Sequence, residues 1–141
     1  MHFKIVNRTK LLSTVKTMTF RGQDIKEIKD FGFGSILQCF ESVNHRFSRY
    51  AIIYDKTEPQ AVVSINRCGE LTFFTSNSIT SKIAYIKCLK DILTWYLSNY
   101  EKSMFVRVAK WYTEANRIVK MIGFKMYENH TYDIIYYIED E

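Results

Sequence analysis

Residues 104–129, MFVRVAKWYTEANRIVKMIGFKMYEN, limit what this chain can fold into more than any other stretch. Residues 105–109 are a strand-length run with little polar alternation, the pattern of a strand covered on both faces. Ala115, Ile118, Val119 and Ile122 then recur at i, i+3, i+4 and i+7, which predicts a short amphipathic helix with Thr113 as its cap. Gly123 ends that helix, since the residue just past a helix often needs positive φ. A second strand follows at once over residues 124–128. Residues 132–138 make another, and the link Asn129-His130-Thr131 is a hairpin candidate.

Upstream, residues 3–6 read as a first strand. The pattern from residue 9 to residue 30 is mixed, with a helix expected over 24–29 and broken by Gly32 and Gly34. Ile36, Leu37, Phe40 and Val43 predict a second helix over 35–44. Three strand-like runs come next, at 49–54, 60–65 and 70–75. The turn-rich links 55–59 and 66–69 join them, so an antiparallel meander is expected. A long helix is expected over 79–99, with Ser78 or Thr80 capping its start. Ile79, Ile83, Ile86, Leu89, Leu93, Leu97 and Tyr100 would be its buried stripe, and Lys82, Lys90 and Asp91 its wet side. The order is β-α-α-β-β-β-α-β-α-β-β, with no internal repeat.

A length of 141 residues fits one domain, residues 1–141. A chain of that size buries about two thirds of its unfolded surface. Five glycines and one proline leave no room for a linker-like segment. The apolar runs are too short to cross a membrane, and MHFKIVNRTK lacks the apolar core of a secretory signal, so a cytoplasmic location is expected. The net charge is +5, but the cations are scattered singly among Asp24, Glu27 and Asp30, and residues 139–141 are acidic. A phosphate-tracking face needs gathered cations, so nucleic acid is not an expected partner. Cys39, Cys68 and Cys88 are unpaired in spacing and fit reduced thiols. His2, His45 and His130 are too far apart to suggest a metal site.

The element order, with Ala115 and Gly123-Phe124 at their positions, is similar to the GNAT superfamily, the Gcn5-related N-acetyltransferases. The similarity runs over nearly the whole chain in element order, and its residue-level matches lie in the last third. It implies an α/β (α+β) fold: a mixed, largely antiparallel, twisted sheet with helices on both faces. It also implies that the fourth and fifth strands splay apart, so that the pantetheine arm of acetyl-coenzyme A can insert between them. The cofactor's pyrophosphate would then sit at the N-terminus of the long helix. On this chain the resemblance assigns cofactor contacts to Phe74, Thr75, Ser76, Asn77, Ser78 and Lys82, and proton transfer to Glu70 and Tyr112.

Two positions depart from the family pattern. The loop 75–82, TSNSITSK, has neither glycine nor arginine where family members carry Arg/Gln-x-x-Gly-x-Gly/Ala. Val119 stands where many members place a tyrosine, and Tyr112 aligns with the family's asparagine. A narrower similarity, carried by AVVSINRCGELTFFTSN and the later IGF, is to small acetyltransferase-like accessory proteins of T7-like tailed phages. It implies a phage accessory or virion-associated protein, non-catalytic or weakly active, meeting a virion or host protein in the host cytoplasm or virion. The broader resemblance implies instead an acyl-coenzyme A-dependent N-acyltransferase acting on an amine. Trp111 and Tyr112 are cleft walls on that reading and ordinary core aromatics otherwise. Tyr132, Tyr136 and Tyr137 make the last hairpin a candidate partner or homodimer contact.

Overall fold

The computed structural model describes residues 1–42, 48–100 and 102–139. Strands β1 (His2–Val6), β2 (Arg49–Asp55), β3 (Glu58–Ile65) and β4 (Leu71–Thr75) pair antiparallel in chain order, the expected meander with β1 added at its edge. Ala51, Ile53, Ala61 and Val63 point to one face of that sheet, and Tyr50, Ile52 and Val62 to the other. Both faces are apolar, so both must be covered. Helices α1 (Arg8–Thr17), α2 (Gly22–Asp30) and α3 (Ile36–Ser42) cover the second face through Leu11, Val15, Ile28, Ile36 and Phe40. Helix α4 (Lys82–Asn99) covers the first. A second sheet holds β5 (Ser103–Ala109), β6 (Lys125–Asn129) and β7 (Asp133–Glu139) in the order β5-β7-β6. Helix α5 (Thr113–Met121) packs on it with Ala115, Ile118 and Val119. This is the mixed α/β arrangement expected from the sequence.

Gly123 follows α5 at φ +113°, where an L side chain is strained, and an added Cβ would meet Ile138 Cδ1 at 3.1 Å. Phe124 N–H then donates to Val119 C=O at 3.0 Å, which turns the chain directly into β6.

Several local expectations are corrected. Helix α1 lies where the pattern looked mixed, because Thr and Ser positions blur the period; Asn7 caps it by accepting from Lys10 N–H at 2.8 Å. Helix α4 starts at Lys82 under Ser81, which accepts from Ala84 N–H. Neither Ser78 nor Thr80 caps it, since their side chains bond Ser76 and Asp55. The buried side of α4 is Tyr85, Cys88, Leu89, Ile92, Leu93 and Tyr96, whereas Ile83 is 83% exposed. The two tyrosines claim the core face, which rotates the stripe away from Ile83. Thr113 is the first residue of α5, and Tyr112 takes the cap position without a side-chain cap bond. β5 is fully covered on one face, by Met104, Val106 and Val108, and only partly on the other, where Ala109 is buried, Phe105 half-buried and Arg107 exposed. The second helix ends at Ser42 within the described residues, and residues 43 and 44 of its expected span lie outside them. Among the described residues, no helix is long and apolar enough to cross a membrane.

Candidate cofactor cleft

The two sheets meet at β4 and β5, and they meet at one end only. Phe105 N–H donates to Gly69 C=O at 3.0 Å, and Glu70 and Phe105 form a single parallel bridge. Gly69 makes this approach possible: its φ is +86°, and Ser103 C=O lies 3.2 Å from where a Cβ would stand. Alternate residues of a strand present their backbone groups to the same edge. Beyond the bridge, Phe73 and Thr75 therefore face β5, and Arg107 and Ala109 face β4. The strands part before those groups can pair. Between them opens a cavity of about 270 Å³, lined by Phe31, Phe33, Phe73, Val106, Val108 and the polar residues Glu27, Glu70, Ser64 and Arg107. Ser64 Oγ, on a residue 1% exposed, has no hydrogen-bond partner there.

The wide end of the gap is filled from within. Residues 19–21 run beside the free edge of β4: Asn77 N–H donates to Thr19 C=O at 3.0 Å, and Arg21 N–H to Thr75 C=O at 3.1 Å. Phe20 and Ser76 form an antiparallel bridge between them. Helix α2 then supplies two carboxyls one turn apart. Asp24 Oδ2 accepts from Thr75 N–H at 2.7 Å, and Glu27 Oε2 accepts from Ala109 N–H at 2.8 Å. One carboxyl thus completes β4 and the other completes β5.

Around Asp24 lies a closed polar network. Tyr112, 3% exposed, donates its hydroxyl to Asp24 Oδ1 at 2.5 Å. Arg21 donates to Tyr112 Oη at 2.8 Å and to Glu114 at 2.7 Å. Lys82 pairs with the same Glu114 at 3.0 Å. Burial pushes the Asp24 carboxyl up, against the pull of the Thr75 amide, Tyr112 and Arg21. Burial likewise pushes Glu27 up to about 7, and Asp24 and Asp30 add to the rise while the Ala109 amide opposes it. The Tyr112 phenol is driven far up by burial and by Asp24. Glu70 is also raised by burial, with Arg107 opposing.

Of the residues expected to meet a cofactor, Phe74 lines this gap, Ser76, Asn77 and Ser78 line a separate pocket with Thr19, Asp55 and Gln60, and most are already engaged. Thr75 is fully buried; both its backbone groups are bonded, and its hydroxyl donates to Tyr85 at 2.9 Å. Ser76 N–H goes to Gln60 C=O at 2.8 Å, and Ser78 N–H to Ser76 Oγ at 3.1 Å. Thr80 N–H goes to Gln60 Oε1 at 3.0 Å, and Thr80 Oγ1 holds the Asp55 carboxylate at 2.6 Å. A phosphate cradle needs amides pointing outward and no anion beside them. Here the amides of Thr75, Ser76, Asn77, Ser78 and Thr80 turn back on the protein, and a carboxylate stands next to Thr80. Lys82 faces Glu114, and Phe74 packs edge-to-face with Phe20 and Phe40. As arranged, Thr75, Ser76, Asn77 and Ser78 spend their backbone groups on the protein itself rather than offering them to acetyl-coenzyme A. Glu70 lines the cavity at its narrow end, whereas Tyr112 does not line it and spends its hydroxyl on Asp24.

Reading the sequence missed Arg21, Asp24, Glu27 and Glu114. Asp24 and Glu27 were visible as an i, i+3 acidic pair on an expected helix, a pattern that solvated helix faces share. Among the described residues, no three His, Cys, Asp or Glu side chains gather as metal ligands would.

Solved structures share this architecture. The GNAT domain of S. lividans PAT superposes with a TM-score of 0.74 at 9% identity, covering 97% of this chain and 89% of that one. Campylobacter jejuni N-acetyltransferase PseH in complex with acetyl coenzyme A gives 0.63 at 12% identity, with 99% of each chain covered. Spermidine N-acetyltransferase SpeG from Vibrio cholerae gives 0.64 at 12% identity, covering 99% of this chain and 95% of that one. The chain therefore has the GNAT acetyltransferase fold. No protein-family model matches its sequence, and no curated protein matches it.

Proposed function

We propose that this chain is an acetyltransferase-fold protein that works through protein contacts rather than acyl transfer, as a phage accessory or virion-associated protein. The observation that supports this is the filled cleft: residues 19–27 take the strand edges at Thr75 and Ala109 that a cofactor arm would need. The loop 75–82 agrees with it, being without glycine and self-bonded. The phage assignment rests on the sequence resemblance. Exposed Tyr127, Tyr132 and Met126 on the last hairpin offer a contact surface to a virion or host protein. Thermal melting with acetyl-coenzyme A tests the reading. A ligand that binds the native state raises the melting temperature as its concentration passes the dissociation constant. An unchanged melting temperature at millimolar cofactor and about pH 6 is expected. A rise that grows with cofactor concentration would overturn the proposal.

One observation favours the second reading, an N-acyltransferase acting on an amine. Glu27, held near neutrality beside the cavity, has the pKa a general base needs at working pH. On that reading Glu27→Gln would abolish amine-dependent release of free coenzyme A thiol without lowering the melting temperature.

A further inference from the structure

We propose that α2 is a strap over the β4–β5 cleft, closed while the Glu27 carboxyl is neutral and released when that carboxyl is charged. The proposal rests on the reading of the cleft as filled by α2, and adds that the filling is reversible.

The way α2 is attached carries the argument. A nine-residue helix normally stays in place by burying an apolar stripe. This one buries Ile28 and Asp24, while Ile25 is exposed. Its other ties are polar and lie at its edges. Asp24 and Glu27 reach the two splayed strands. Asp30 accepts from Trp111 Nε1 at 2.9 Å, and Lys26 Nζ lies 4.1 Å from the Trp111 ring centre. Both ends have backbone freedom: Gly22 is the first helical residue, and Gly32 at φ +96° with Gly34 follows the last turn. Between Gly22 and Gly34 only Ile28 is a fully buried apolar side chain, with Phe31 and Phe33 partly buried against the two cores, and a segment so lightly anchored opens at lower cost than the rest of a fold.

The two carboxyls are not equivalent. Asp24 has two donors, Thr75 N–H and Tyr112 hydroxyl, and the Arg21 guanidinium at 3.7 Å, and all three oppose the rise that burial causes. Glu27 bonds the Ala109 amide. Around it stand Asp24 and Asp30 on its own helix, the Tyr112 phenol from the cap of α5, and Cys39, Glu70 and Arg107 across the cavity. Burial and the Asp24 and Asp30 carboxyls make a charge on Glu27 less favourable, while the Ala109 amide opposes them. The strap therefore lifts at its Glu27 end and pivots at Asp24.

The direction with pH follows from linkage. The closed state holds the Glu27 proton up to about pH 7, while a solvated glutamate loses it near 4.5. Closed α2 thus binds more protons than open α2 between those values. Rising pH across that window favours opening, and above it the bias is complete and levels off.

Amide exchange at Ala109, expressed as protection over the intrinsic rate at each pH, reads this directly. Protection in the native chain should fall at least about tenfold between roughly pH 5 and pH 8, while Ile92 in α4 stays constant. In Glu27→Gln, which keeps an acceptor for Ala109 but cannot ionise, the fall should shrink to less than about twofold. An equal fall in both proteins, or none in the native chain, overturns the strap. If Glu27→Gln does not fold, Trp111→Phe removes only the outer tie and must lower Ala109 protection at acidic pH while sparing Ile92. No change there also overturns it. Melting with acetyl-coenzyme A at about pH 8 separates this inference from the reading it rests on. A cofactor-dependent rise together with pH-dependent protection overturns the contact-only function and leaves the strap standing. A flat melting curve with flat protection overturns the strap alone.

Discussion

Helices α4 and α2 lie on opposite faces of the same sheet, and different forces hold them. α4 spans 18 residues and buries Tyr85, Cys88, Leu89, Ile92, Leu93 and Tyr96. α2 spans nine residues and buries one apolar side chain beside a carboxyl. Apolar burial is non-directional and indifferent to pH, whereas a buried carboxyl is held by a few directed bonds and penalised as soon as it ionises. The first kind of attachment makes a permanent wall. The second makes an element whose position depends on its protonation and on its partners. The difference matches their places in the fold: α4 seals a core, and α2 closes a gap that the strands leave open.

The contrast can be broken by substitution. Leu89→Ala removes a fully buried α4 side chain. It should cost about 2–5 kcal/mol by chemical denaturation, with no dependence on pH. Asp24→Ala leaves the Thr75 amide, the Tyr112 hydroxyl and Arg21 without their acceptor. It should cost about 3 kcal/mol, because each group stays buried once its partner is gone. If that loss were as independent of pH as the Leu89 loss, the contrast would collapse. Gly123→Ala, in the α5–β6 turn, should cost about 1–2 kcal/mol through the left-handed backbone and the crowding of Ile138. That loss too should be flat with pH. Smallest of all is Lys82→Ala, since Lys82 is more than half exposed and its ion pair is screened. A loss under about 1 kcal/mol, shrinking further in salt, is expected. A large loss would mean that the Glu114 network, rather than Asp24, pins α2.

The last third of the chain was legible because its signals are local. Ala115, Ile118 and Val119 recur at helical spacing, and Gly123 punctuates them at the one place where positive φ is required. The meander was legible for the same reason, with short turns between continuous apolar runs. α1 was hidden because Ser13, Thr14 and Thr17 bond back to helix carbonyls and dilute the apolar period. The face of α4 was misjudged because a tyrosine is ambiguous by sequence: Tyr85 is buried only because Thr75 satisfies its hydroxyl. Glu70 lines the gap and Tyr112 bonds Asp24 beside it, but the residues that fill the splay carried no distinguishing signal.

What the sequence by itself determined is the order of the strands and of every helix but α1, the Gly123 exit and the absence of glycine from the loop 75–82, all of them written in neighbours a few positions apart. Tertiary structure alone decided what occupies the cleft. Asp24 meets an amide 51 residues away and Glu27 one 82 residues away. Neither carboxyl carries a mark of its partner. A backbone amide has no sequence signature, and it becomes available only where two strands that would have paired are held apart.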